Sequence, residues 1–255
     1  MSGVRITGLS KEYLQNDRRV VAVSNVDLDI RDGEFLCVVG HSGCGKTTLL
    51  NILAGFLAPT VGSITFDGGE HMRDGDIGVV FQEYALFPWR TAIGNVEFGL
   101  EMRDVPAAER KARAQRYLEL VHLGHVAGTY PHQLSGGMRQ RVAVARALAY
   151  EPSLLLMDEP FGALDAQTRE RLQSLTEEIW QKTRKTVFYV THNLSEAVYL
   201  ADRIVVMRPH PGRIHEIVPV EIPRPRDALS DAFVALQRRI AELIKDDRKD
   251  DREDD

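Results

Sequence analysis

Hydrophobic positions change their period several times along this chain. In "VAVSNVDLDI" the apolar residues Val21, Val23, Val26, Leu28 and Ile30 alternate with polar ones, with one slip, as in a half-buried strand. The stretch from Val4 to Phe66 has this strand-like character for most of its length. "EFLCVVG" differs: it is a short continuous apolar run bounded by turn residues, the pattern of a strand covered on both faces. "KTTLLNILAGF" then takes up helical spacing, with Gly55 placed to end the helix. From about Glu83 to Ala149 the chain turns helical, as in "PAAERKARAQRYLELVHL". "PSLLLMDEP", "KTVFYVTH" and "DRIVVMR" read as three more buried strands alternating with helices. A turn-rich strand segment, "HPGRIHEIVPVEIPRPR", precedes a last amphipathic helix with Phe233, Leu236, Ile240 and Ile244 on one stripe.

This order predicts an α/β fold with a mainly parallel sheet, an N-terminal antiparallel β subdomain and an inserted helical subdomain at about 83–150. One domain is expected over 1–245. The last ten residues, "DDRKDDREDD", carry seven acids and three bases and read as a disordered, solubilising tail over 246–255.

Composition narrows the function. The 255 residues are 44% hydrophobic, enough for a substantial core. The net charge of −5 falls mostly on the tail, whose own net is −4. No basic field is left that would mark a nucleic-acid binder, so no nucleic-acid partner is expected. No run approaches the roughly 18 apolar residues of a membrane span, and "MSGVRITGLSKEYL" lacks a signal-peptide core. Cys37 and Cys44 form neither a metal pattern nor a disulfide framework, which fits a reducing compartment.

Two elements carry chemistry. "GHSGCGKT", Gly40 to Thr47, matches GxxxxGK[ST] between a predicted strand and a predicted helix. Its glycines let backbone N–H groups face phosphate oxygens, Lys46 is placed for the β- and γ-phosphates, and the Thr47 hydroxyl suits Mg²⁺. "LLLMDEP" delivers Asp158 to the carboxyl end of a buried strand, where sites in parallel sheets lie. Asp158 is a candidate Mg²⁺ ligand, and Glu159 a candidate base for an attacking water. Cys44 lies near a helix N-terminus, where a thiol pKa can fall, though a small filler role is the favoured reading.

With these residues in place, the chain resembles the nucleotide-binding subunit of an ATP-binding cassette (ABC) transporter over nearly its whole length. "LSGGMRQR" matches the family's signature motif, "GALD" its D-loop and "VTH" its switch histidine, all in the family's order. The resemblance implies a P-loop NTPase core and ATP with Mg²⁺ as cofactors. It implies two subunits packed head to tail, with Ser135, Gly136 and Gly137 of one binding the γ-phosphate held by the phosphate loop of the other. That loop, with its flank, comprises Gly40, His41, Ser42, Gly43, Cys44, Gly45, Lys46, Thr47 and Thr48. It also implies that Tyr13 stacks on adenine, Gln82 touches Mg²⁺ and the attacking water, and His192 positions that water. Asp165 would sense the opposite site across the dimer. Gly162 stands where the family usually has serine, so a side-chain hydrogen bond from that position is absent.

A cassette without a membrane span needs a permease, so the expected location is peripheral, on the cytoplasmic face of the inner membrane. "ALFPWRTAIGNVEFGL" is expected to receive the permease's coupling helix, with Phe87, Trp89 and Phe98 as candidate contacts or else as the subdomain's own core. "LFPWRTAIGNV" and "MDEPFGALDAQTRE" resemble the group importing nitrate, sulfonates and taurine, which implies a periplasmic or lipid-tethered solute-binding protein. An exporter or lipid-extraction cassette would share every ATP residue. A soluble cassette acting on DNA or ribosomes is disfavoured, because only 112 residues separate Lys46 from Asp158 and a single cassette is present.

Overall fold

The computed structural model describes residues 3–15, 18–66 and 77–245; the acidic tail expected at 246–255 lies outside them. Strands β1 (Val4–Gln15), β2 (Arg18–Ile30) and β3 (Phe35–Gly40) lead into helix α1 (Lys46–Leu53), β4 (Val61–Phe66) and β5 (Ile77–Val80). Helices α2 (Ala92–Glu101), α3 (Ala107–Leu120) and α4 (Gly136–Ala149) follow. The chain continues through β6 (Leu154–Asp158), α5 (Ala166–Thr183), β7 (Thr186–Val190) and α6 (Leu194–Leu200), and closes with β8 (Arg203–Arg208), β9 (Arg213–Pro219) and α7 (Asp231–Lys245). It divides into two compact units, Met1–Met72 with Thr186–Asp255, and Arg73–Lys185.

In the first unit an antiparallel sheet runs β2-β1-β4. The slip in the alternation of β2 has a local cause. Asn25 takes φ 46°, its N–H donates to Ser10 Oγ at 2.9 Å, and Val23 and Val26 consequently both face inward, neither exposed. Val21, expected inside, is 38% exposed, because the hairpin runs past the core and pairs it with Glu12, close to where Gln15 and Arg18 bring the two strands together.

The same unit holds β7, β3, β8 and β9 side by side, parallel except for β9. All six residues of β3 and all five of β7 are buried, as expected of strands covered on both faces. At the entry to β3, Glu34 is bound by Arg203 at the start of β8: Nε to Oε1 at 2.5 Å and Nη2 to Oε2 at 2.8 Å. The "RPR" read as turn-rich carries a packing role as well. Buried Arg226 donates through Nη1 to the carbonyls of Val198, Tyr199 and Ala201, and Arg224 donates to that of Leu200. These carbonyls close a seven-residue helix that cannot satisfy them itself. On α7, Phe233 and Ile240 are buried, while Leu236 and Ile244 are half-buried.

In the second unit β5 and β6 pair in parallel. Helices α2, α3 and α4 pack together, and α4 buries nine of its fourteen residues. The short apolar run "IGVV" is β5.

Candidate functional site

The phosphate loop is formed by tight backing in the first unit. A Cβ on Gly40 would lie 2.5 Å from the Met207 carbonyl oxygen and 2.7 Å from Cys44 Sγ. Gly45, at φ 91°, forms the N-cap of α1, and a Cβ there would lie 2.8 Å from Val23. The loop can therefore close only with glycine at both ends. Lys46 is buried, and its ammonium donates to the carbonyls of Gly40 at 2.9 Å and His41 at 3.0 Å. Among the described residues no carboxylate pairs with it, so a buried cation sits in a loop that lacks a counter-charge. Ser42, Gly43 and Thr47 are exposed, and Thr48 is half-buried.

Cys44 is buried beneath this loop. Burial, opposed chiefly by the Lys46 charge, raises its thiol pKa rather than lowering it. The filler reading holds and that of an activated thiol does not. Tyr13 on β1 is 40% exposed, with the Lys11 ammonium 5.4 Å from its ring centroid. His192 is exposed at the exit of β7. Its backbone is fixed on both sides: the Asn193 N–H donates to Thr191 Oγ1 at 3.0 Å, and Asn193 Oδ1 caps α6 by accepting from the N–H groups of Ser195 and Glu196.

The second unit holds the other candidates. Asp158 ends β6 half-buried, and Glu159 follows at φ 43°, a left-handed backbone that a non-glycine residue rarely adopts. A Cβ on Gly162 would lie 3.6 Å from Gln82 Nε2 and 3.8 Å from Glu159 Oε2, so these two side chains flank the same glycine. Gln82 itself is exposed. Ser135 caps α4 by accepting from the Met138 N–H at 3.3 Å. A Cβ on Gly137 would come within 2.7 Å of Thr168 Cγ2 on α5, and one on Gly136 within 3.0 Å of the Tyr84 hydroxyl. Larger residues here would press on Tyr84 and Thr168, so local packing favours these glycines quite apart from any ligand. Asp165 caps α5, accepting from the Thr168 N–H at 2.9 Å, and this hydrogen bond lowers its carboxyl pKa.

Three arginines that sequence reasoning missed hold these loops in place. Arg146 of α4 donates to the carbonyls of Ala85 at 2.6 Å and Tyr84 at 3.3 Å, just after Gln82. Arg139 donates to the Leu134 carbonyl before Ser135, and Arg169 to those of Phe161 and Leu164 around Gly162. Each reaches a backbone carbonyl in a loop, a contact with no signature in residue pattern. Nearby, Phe87 and Phe98 pack with centroids 4.5 Å apart, and Trp89 lies beside them, 71% exposed. Asn95, fully buried, binds the Phe87 N–H and the carbonyls of Phe87, Arg90 and Thr91. Among the described residues no helix is long and apolar enough to cross a membrane.

The family model described as ABC transporter matches residues 23–162, more than half of the chain. The taurine import ATP-binding protein of Rhizobium johnstonii is 52% identical over 198 residues, covering 77% of this chain and 76% of that protein. The nitrate import ATP-binding protein of a Synechocystis species is 46% identical over 221 residues, covering 86% and 83%. A bacterial ABC transporter cassette solved as a dimer, also in a post-hydrolysis state bound to ADP and Pi, superposes with a TM-score of 0.75 at 34% identity, covering 86% of this chain and 99% of that one. Phosphate loop, fold and relatives agree: the chain belongs to the ABC transporter family, as an ATP-hydrolysing nucleotide-binding subunit similar to those of taurine and nitrate import.

Proposed function

We propose that this chain powers the import of a small anion such as nitrate, taurine or another sulfonate. It works as a head-to-tail pair beneath permease subunits, on the cytoplasmic face of the inner membrane, and a periplasmic or lipid-tethered solute-binding protein delivers the cargo. The ATPase domain spans 1–245, with its helical subdomain at about 83–150. The names of the taurine and nitrate relatives support the cargo class, and the dimeric cassette supports the pairing.

In this reading Tyr13 stacks on adenine, and the backbone of Gly40 to Gly45 with Lys46 cradles the phosphates; the uncompensated Lys46 charge is what fits them. Thr47, Gln82 and Asp158 offer a hydroxyl, an amide oxygen and a carboxylate, oxygen donors suited to Mg²⁺. Bound there, Mg²⁺ would neutralise charge developing on the phosphates. Glu159 accepts the proton of the attacking water, while Gln82 and His192 orient that water. Ser135, Gly136 and Gly137 present the N-terminus of α4 to the partner's nucleotide, and Asp165 faces the partner. Trp89, with Phe87 and Phe98 behind it, meets the permease.

The observation that carries the mechanism is the placement of Glu159 and Gln82 against Gly162, with the base held on a left-handed backbone. The experiment is Glu159→Gln. ATP binding should persist, turnover should fall by about 10² or more, and a stable ATP-bound dimer should accumulate in gel filtration. Ordinary turnover would remove Glu159 as the base.

A further inference from the structure

The second residue of the phosphate loop has a side chain with no task in cradling phosphates. It points backwards. His41 Nε2 lies 3.0 Å from the carbonyl oxygen of Ile244, in the last turn of α7. The last four carbonyls of a helix have no partner within it, and a ring with its proton on Nε2 supplies the missing donor. Helix α7 is a firm anchor: Phe233 and Ile240 are buried in the same unit, and Ser230 Oγ accepts from the Phe233 N–H at its start.

Two neighbouring segments of the chain back the same loop. The Met207 carbonyl of β8 lies directly behind Gly40. The turn before β9 places Gly212 against the Cys44 and Ala22 carbonyls, with its own carbonyl accepting from the Ser24 N–H at 2.8 Å. These supports all come from residues 207–244, beyond the span 23–162 that the family model matches.

We propose that His41 is a positioning residue, tying the phosphate loop to the end of α7 so that the C-terminal helix becomes a working part of the nucleotide site. The proposal rests on the phosphate loop being where ATP binds. One hydrogen bond that holds a loop in its binding shape corresponds to about a fivefold change in affinity.

The test measures the Kd and KM for ATP and kcat, with melting temperature as the control for folding. His41→Ala should raise Kd and KM about fivefold and leave kcat nearly unchanged. His41→Gln, whose amide N–H can reach the same carbonyl, should restore both. A chain ending at Ile240 should show the His41→Ala defect, and adding His41→Ala to it should do nothing more, because both remove one contact. A chain ending at Lys245 keeps the Ile244 carbonyl and should bind ATP as the full chain does. The proposal is overturned if His41→Gln is as weak as His41→Ala, if the two defects add, or if the chain ending at Lys245 already shows the whole loss. Lys46→Ala separates the two levels of failure. Weakened binding there with normal binding in His41→Ala sinks the tether alone, whereas normal binding in both sinks the nucleotide site.

Discussion

Replacing Glu34 by alanine should cost more stability than its position at the edge of a turn suggests. Its side chain is only 4% exposed and that of Arg203 15%, and the two meet through both carboxylate oxygens. Glu34 Oε2 also accepts from the Arg31 N–H at 2.8 Å, and the Arg203 guanidinium donates to the Asp29 carbonyl at 2.6 Å. The Glu34 hydrogen bond is the leading cause that holds the Arg203 pKa above its ordinary value. Truncating one partner leaves a largely buried guanidinium without its counter-charge, which costs about 3 kcal/mol. In a chain of this size that corresponds to a melting temperature lower by about 6–12 °C. Thermal and urea unfolding followed by circular dichroism would measure it, and the loss should be nearly the same at low and high salt, since a buried pair is weakly screened. The decisive comparison is Glu34→Leu combined with Arg203→Met. Removing both charges should recover most of the loss, because an apolar pair of similar shape is often no worse than a buried ion pair. A double variant as unstable as Glu34→Ala would refute the charge argument and leave only packing.

Three further tests address the remaining parts. Gly212→Ala sets a Cβ against two backbone carbonyls that no side-chain motion can relieve, so it should destabilise the fold by about 1–3 kcal/mol and weaken ATP binding, read by calorimetry and nucleotide titration. Gln140 on α4 is fully buried, with neither amide atom hydrogen-bonded among the described residues, so Gln140→Met should raise the melting temperature; a fall would show that the amide has a partner. The pKa of Asp165 is lower in the folded state, so the unfolded chain takes up the proton first. Its contribution is complete above about pH 4 and is lost as pH falls through the lower folded value; Asp165→Asn, which keeps a capping oxygen, should flatten that part of the stability profile in acid.

Much of the fold was legible because burial leaves a mark on composition. Strands β3, β6, β7 and β8 are covered on both faces, and each reads as an unbroken apolar run. Strand β5 is apolar too but was not assigned, since four residues are too few to distinguish a strand from a helical turn. The slip in β2 was visible, but its cause, a left-handed Asn25, was not. The chemical residues were legible as motifs, because phosphate and metal chemistry fixes both residue type and spacing. What positions them was hidden: Arg146 and Arg226 grip carbonyls distant in the chain, Arg169 grips carbonyls a few residues back, and a carbonyl belongs to every residue alike. The fate of Cys44 turned on burial, which a helix-terminus argument from sequence does not contain.

The guanidinium of Arg226 has a consequence for how this cassette is cut or combined. Helix α6 starts two residues after His192, and Arg226 fastens three of the carbonyls at its far end, with Arg224 on a fourth. A chimera joined anywhere in the β8–β9 hairpin would carry His192 next to an unfastened helix. Any transplant of this ATPase onto another transporter should therefore keep its own sequence through Arg226, and shortened forms that retain every recognisable motif should still be poor enzymes.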